Sequence, residues 1–332
     1  MIKKYLDNRF LILYIFPLIL GSLITFTFAP FNFTIINFII LPIFFYLVNY
    51  INKKSKTTYR KKPYKKNLFI FGIAFGFGFY LSSISWITNS LTFDENFKVL
   101  IPFAFILIPL FLSLFVGLTT LIIGQYLKLN FSSILLFSAS LAFSDYLRAN
   151  VLTGFPWNLW AYSTTSIIEF LQIINFIGLY SYNLLVITIF TLPAILFFKI
   201  SKIKKIVSII AIFFIILSLY INGNYEINKN KKILEAAIEK TYVKIISPNF
   251  NLEYGLTTEE IEERFKKLIR YSDPDKEKKT LFIWPEGVFS GYSYNEILRF
   301  KDLILKNFSK KHYIIFGVNK LDPNIGNFYN SM

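Results

Sequence analysis

Residues 99–127 read VLIPFAFILIPLFLSLFVGLTTLIIGQYL, twenty-nine positions without a charged side chain. A helix needs about 20 such residues to cross the hydrocarbon core of a bilayer, so this stretch is predicted to span it. Pro102 and Pro109 fall inside the stretch and are expected to kink the helix, which membrane helices tolerate. Working outward, six more uncharged stretches appear, at residues 10–29, 35–51, 68–90, 131–144, 170–198 and 206–220. The last is slightly short for a span and 131–144 is shorter still. The latter is counted because Asp145 and Arg148 at its end are spaced to pair on one helix face near the interface. Composition agrees, with 54% hydrophobic and only 17% charged residues, too apolar for an ordinary soluble domain.

The net charge of +16 raises the question of a nucleic-acid partner. Its distribution answers it. Basic residues gather at Lys3, Lys4 and Arg9, then in the segment from Asn52 to Lys66, then at Lys128, then at Lys199, Lys202, Lys204 and Lys205, while the alternate loops hold only Lys98 and Arg148. Basic loops stay cytoplasmic, so the charge reads as orientation and no nucleic-acid partner is expected. Seven crossings from an inside start would leave everything after Tyr220 outside, in the periplasm of a two-membrane cell. The Lys53 to Lys66 run also offers anionic headgroups about 1 kcal/mol per Lys near the surface, but topology explains it equally well. The basic N-terminus followed by an apolar run opens like a signal peptide. No small-residue cleavage site follows, so the run reads as a retained first span. With no Cys and one His, His312, a disulfide framework, a Cys/His zinc site and a haem attachment motif are excluded, and neither metal nor cofactor is expected.

After Tyr220 the texture becomes charged and alternating. Tyr242 to Ile246 reads as a strand ended by Pro248-Asn249. Thr257 and Glu260 have capping-box spacing ahead of an apolar helical stripe at Ile261, Phe265, Leu268 and Ile269, which Asp273-Pro274 closes. Leu281 to Trp284 reads as a second strand, Ile297, Phe300, Ile304 and Phe308 as the inner face of a second helix, and Tyr313 to Gly317 as a third strand. Strands alternating with helices predict an α/β layer with a parallel sheet. The boundaries are expected at residues 1–225 for a polytopic helical membrane domain with about seven spans and 226–332 for the α/β part.

Ligands and catalytic groups of open α/β sheets collect at the carboxyl ends of strands. Glu286, in Trp284-Pro285-Glu286-Gly287, stands there, where a carboxylate can serve as general base; on the tripeptide alone, a turn carboxylate facing water is the plainer alternative. His312 follows Lys310-Lys311 in a solvated run, without a partner acid or nucleophile in view. In Gly154-Phe155-Pro156-Trp157, Gly and Pro break the chain just outside the membrane, with Trp157, Trp160 and Tyr162 placed as interfacial anchors. Two readings stay open for that turn, a structural aromatic belt and one side of a lipid-entry cleft.

Taken in order, these segments resemble the apolipoprotein N-acyltransferase family. The motifs are Phe28-Ala29-Pro30-Phe31 after the first span, and Gly76-Phe77-Gly78-Phe79 with Ile84-Ser85-Trp86 and Ser90. Next come Leu147-Arg148 with Val151-Leu152-Thr153-Gly154-Phe155-Pro156-Trp157 and Tyr162-Ser163. The soluble part adds Ile246-Ser247-Pro248-Asn249, Trp284-Pro285-Glu286 and Phe328-Tyr329-Asn330-Ser331. The resemblance implies a partial nitrilase-like (α-β-β-α) domain after the membrane domain. It also implies a ping-pong acyl transfer from a phospholipid, through a Cys thioester, to the α-amine of a diacylglyceryl-cysteine apolipoprotein in the bacterial inner membrane. Glu286 matches the base of the family's Glu-Lys-Cys triad.

The departures are equally specific. The matching Lys and Cys would lie beyond Asn330-Ser331, Asp145 stands where the family usually has Glu, and Leu256 lies near the place of a family aromatic residue. The chain is therefore expected to be a C-terminally truncated product or partial reading frame, inactive by itself. Its half-built sheet should leave an unpaired edge and an uncovered apolar face. Two other readings are a membrane-tethered carbon-nitrogen hydrolase acting on a small amide, which shares Glu286 but has no need of the membrane motifs, and a transporter or scaffold, which would want intramembrane charges that the spans lack.

Overall fold

The computed structural model describes residues 8–58, 64–92, 95–152, 154–236, 240–251, 255–289, 291–321 and 328–331. Lys3, Lys4, Arg60, Lys61, Lys62 and Thr153, which entered the reading of charge and motifs, lie outside the described residues. The chain divides into two compact units, Met1–Lys232 and Ile233–Met332.

The first unit is helical: α1 (Leu11–Thr27), α2 (Asn37–Thr58), α3 (Tyr64–Ile84), α4 (Ile101–Ile123), α5 (Phe131–Asn150), α6 (Leu179–Thr191) and α7 (Lys202–Ala236). Segments built on α2, α3, α4, α6 and α7 are long and apolar enough to cross a membrane, which makes this a multi-pass membrane protein. The helix α1 is a shorter apolar one. Close approach of α3 to its neighbours comes from small residues, the usual device where apolar burial cannot distinguish protein from lipid. A Cβ at Gly76 would lie 2.9 Å from the Ser113 Cα of α4, and one at Gly78 would strike the Leu18 carbonyl of α1. The GFGF motif is thus a two-sided packing face. Stacked rings fill the centre, with Phe44 and Phe75 centroids 3.9 Å apart.

Three expectations change. Of the about seven spans expected, five qualify among the described residues, α1 being shorter and α5 not among them. The stretch 170–198 is not one span: two short helices, Ile168–Leu171 and Ile174–Ile177, precede Gly178, whose φ of 77° breaks the chain before α6 begins. Pro102 sits in the first turn of α4, where a missing N–H is harmless, so only Pro109 is interior.

The second unit carries the expected parallel sheet. Strands β1 (Tyr242–Ile245), β2 (Thr280–Ile283) and β3 (His312–Ile315) pair in that order, Tyr242 opposite Thr280 and Thr280 opposite His312. Helix α8 (Thr258–Ser272) packs Ile261, Phe265 and Leu268 onto one face of the sheet with Phe282 and Trp284. The opposite face exposes Val243, Ile245, Tyr313 and Ile315, as a one-sided parallel layer must. The second helix is shorter than expected, with Tyr294–Ile297 and a 3-10 turn leading into α9 (Lys301–Asn307). A β4–β5 pair (Val318–Leu321 with Phe328–Ser331, antiparallel) was not foreseen. The capping box at Thr257 forms, Thr257 N–H donating to Glu260 and Glu260 N–H to the Thr257 hydroxyl.

Candidate functional site

In the membrane unit the three motif segments, far apart in sequence, line one cavity of about 740 Å³. Phe28, Pro30 and Phe31 come from the turn after α1, with a cis Ala29-Pro30 bond, Ser82 and Ser83 from the last turn of α3, Trp86 from the 3-10 helix that follows it, Pro156, Trp157 and Asn158 from the turn after α5, and Tyr162 from the 3-10 helix beyond that turn. Trp86 and Trp157 meet edge to face at 5.3 Å, and Asn158 donates to the Ser83 hydroxyl at 2.8 Å.

What holds the third segment in place is a buried polar network. Arg148 donates to the carbonyl oxygens of Phe155 (2.6 Å) and Trp157 (2.7 Å) and to the Asp145 carboxylate (3.1 Å), and it lies over the Tyr80 ring. Asn183 of α6 donates to the other Asp145 oxygen at 2.9 Å and accepts from the Ala161 N–H at 2.9 Å. Both Asp145 oxygens and both terminal nitrogens of Arg148 are thus hydrogen-bonded, which offsets the cost of burying the pair, while the buried Arg148 Nε is left without a partner. The i, i+3 pairing of Asp145 and Arg148 was legible in sequence. Asn183 and Tyr80 were missed, although Asn183 is the one amide side chain of the apolar α6 and a buried amide is costly unless paired.

Of the four residues of the turn, Pro156 and Trp157 line the cavity, while Gly154 and Phe155 shape it from behind. Gly154 has φ 74°, and a Cβ there would strike the Ala149 carbonyl, so glycine is required. Phe155 contributes its carbonyl to Arg148. Trp160, expected as an interfacial anchor, is instead buried against Phe79 at 5.8 Å, because the chain turns inward after Asn158.

In the second unit Glu286 is an exposed residue of the turn after β2, the central strand. Gly317, just past β3, comes so near that a Cβ there would lie 3.2 Å from the Glu286 Cγ. The loops at this carboxyl end are tied together by the buried Arg264 of α8, which donates to the carbonyls of Asn251 (3.0 Å, after β1) and Val288 (3.1 Å, after β2). His312 takes the structural role: its Nδ1 accepts the Ser309 N–H, and Nε2 lies 2.9 Å from the Asp275 carbonyl. Among the described residues no cluster of metal-ligating side chains occurs.

Residues 20–192, just over half of the chain, match the model of the apolipoprotein N-acyltransferase N-terminal domain. The chain belongs to the apolipoprotein N-acyltransferase family. Relatives bearing that name include proteins of Rhodopseudomonas palustris (26% identity, covering 65% of this chain and 41% of that protein), Brucella melitensis (28%, covering 53% and 33%) and Bradyrhizobium diazoefficiens (26%, covering 81% and 50%). The chain spans half or less of the length of each. The family match takes in every residue of the membrane cavity and of the Arg148 network, and ends before Glu286.

Proposed function

We propose that this chain supplies the lipid-handling bundle, residues 1–225, and the first part of the catalytic domain, residues 226–332, of an apolipoprotein N-acyltransferase. In this reading an acyl chain passes from a phospholipid to a thiol as a thioester, releasing lysophospholipid, and then to the α-amine of a diacylglyceryl-cysteine apolipoprotein as an amide, regenerating the thiol. Glu286 accepts the thiol's proton and passes it to the leaving lysophospholipid oxygen, then accepts the attacking amine's proton and returns it to the leaving thiolate. The 332 residues hold no Cys, so the nucleophile must come from outside them. The cavity framed by Phe28, Trp86 and Trp157 admits an acyl chain, and the second unit works on the periplasmic side of the inner membrane.

The observation that carries this proposal is the convergence of three motif segments, all within the family match, on one cavity of about 740 Å³. The test is an exchange: residues 20–192 of this chain replace their counterpart in the Rhodopseudomonas palustris relative, and transfer to a diacylated lipopeptide is measured. Retained turnover is expected, falling with Trp157→Ala. A folded chimera without turnover would overturn the reading. A reporter fused after Met332 that works only in the cytoplasm would overturn the periplasmic placement.

A further inference from the structure

Helix α7 touches the rest of its unit along a narrow seam. Ile212, Ile216, Leu219 and Gly223 recur at helical spacing on one side, with Ile212 and Gly223 buried, while Phe213 and Phe214 on the other side are each 60% exposed. Contact is tight at the Gly223 end, where a Cβ would run into the Glu169 carbonyl oxygen and Tyr220 packs edge to face on Phe170 at 6.3 Å. Between Ile212 and Gly223 lies about 16 Å of helix at 1.5 Å per residue, roughly half the thickness of a hydrocarbon core. There the helices do not close. A separate cavity of about 270 Å³ opens between Ile216 and Leu219 of α7, Val186, Ile189 and Phe190 of α6, and Phe38 of α2.

Its wall asks for nothing polar. The hydroxyls of Thr164 and Tyr182 bond each other at 2.7 Å, and the Thr34 hydroxyl is spent on the Ser163 carbonyl. Polar groups satisfied within the wall leave an occupant only apolar contact to make. An apolar cavity of about 150 Å³ is enough to take benzene, so this one accepts a longer apolar body. It is also distinct from the first cavity, since Tyr162 and Thr165 face the one and Thr164 and Ile167 the other.

We propose that this slot holds one fatty-acyl chain of a membrane phospholipid, so that α7 is joined to α6 in part through a bound lipid tail rather than through side chains. A phospholipid tail is the occupant because α7 leaves its other faces as exposed apolar side chains, Phe213 and Phe214 among them, and because the wall's hydroxyls are spent within the wall, leaving no group to recognise a headgroup or peptide. The proposal stands independently of the acyl-transfer reading, and its test does not use turnover.

The full chain is placed in nanodiscs containing increasing fractions of a phospholipid with a diazirine in mid-chain, and labelled residues are mapped by mass spectrometry. Labelling at Ile216, Leu219 and Val186 is expected to saturate at a low probe fraction, while Phe213 and Phe214 label in linear proportion to it. Val186→Phe, with Ile189→Phe as a second way of filling the slot, should cut labelling at Ile216 at least tenfold and leave Phe213 unchanged. Linear labelling at Ile216 in the unaltered chain, undiminished labelling in both folded variants, or displacement of the probe from Ile216 by a diacylated lipopeptide at equimolar amounts would each overturn the proposal.

Discussion

The turn after α5 and the turn after β2 both carry residues singled out for function, and they are built in opposite ways. The first is held from inside: Arg148, buried and paired to Asp145, grips two of its carbonyls, and Asn183 and Tyr80 complete the network. The second presents an exposed carboxylate just past the carboxyl end of the central strand, with Gly317 in close approach to it. The Asp145–Arg148 pair is buried inside the helical unit, where no water reaches a misplaced polar group, so the segment it holds must be secured by internal hydrogen bonds. A site that faces water has no such requirement, and its fold need only aim the side chain.

The largest effect that sharpens this contrast belongs to Arg148→Ala. Removing the guanidinium strands the Asp145 carboxylate and two carbonyls, and breaking a buried pair from one side costs about 3–5 kcal/mol. The melting midpoint of the chain in detergent should fall sharply. Asp145→Asn combined with Arg148→Met should recover much of that loss, since no charge is left unpaired, but should not restore resistance of the 152–158 turn to proteolysis, because the carbonyl grip is gone. Equal recovery of both would break the claim that the arginine shapes the turn. Asn183→Ala comes next, leaving an Asp145 oxygen and the Ala161 N–H without their side-chain partner at a cost of about 1–3 kcal/mol.

How much of this could be read beforehand follows from the same contrast. The 3.6-residue period gave α8, and short apolar runs bounded by turn residues gave β1, β2 and β3, because α8 buries one stripe and the strands end at turns that the sequence marks. The break at Gly178 and the helical extension of α7 past Tyr220 were hidden, since an uncharged stretch looks the same whether it runs straight or folds back. The β4–β5 pair was missed because it lies in short polar strands without alternation. In the membrane cavity the motif segments were legible, but that they face one another was not; convergence depends on glycine contacts between α1, α3 and α4 that no periodicity encodes. Asn183 left a faint trace as one of three amides in the uncharged run 170–198, whereas Tyr80 left none among so many aromatic residues.

Smaller effects test the water-facing unit. Thr257→Ala removes the N-cap of α8 and should cost about 0.5–2 kcal/mol, read as lost hydrogen-exchange protection in 258–272. Two carboxyls here lie below their ordinary range. The Thr257 backbone N–H, and secondly its hydroxyl, lowers Glu260, and the Ser293 backbone N–H and hydroxyl lower Glu296. A depressed folded pKa contributes stability that is present in full above the unfolded value of about 4.3 and is lost as pH falls through the folded one. Protection of α8, corrected for intrinsic exchange, should therefore hold at neutral pH and decline below about pH 4. Glu260→Gln should flatten that decline. Thr257→Ala should leave much of it, because the backbone donor remains and is the larger cause.

The smallest change in stability belongs to the residue on which the chemistry would depend. Glu286 is an exposed residue of a turn, so Glu286→Gln should shift the melting midpoint by no more than about 0.5 kcal/mol allows. In an exchange protein carrying residues 20–286 of this chain, the same variant should reduce acyl transfer about 10²–10⁴-fold, the range for loss of a general base. Gly317→Ala probes the aim rather than the charge, since the added Cβ would press on the Glu286 Cγ from 3.2 Å and turn the carboxylate without removing it. If Glu286→Gln instead unfolds the second unit while leaving transfer untouched, the carboxylate is a structural group of its turn, and the division between an internally anchored cavity and an externally aimed base fails at its second term.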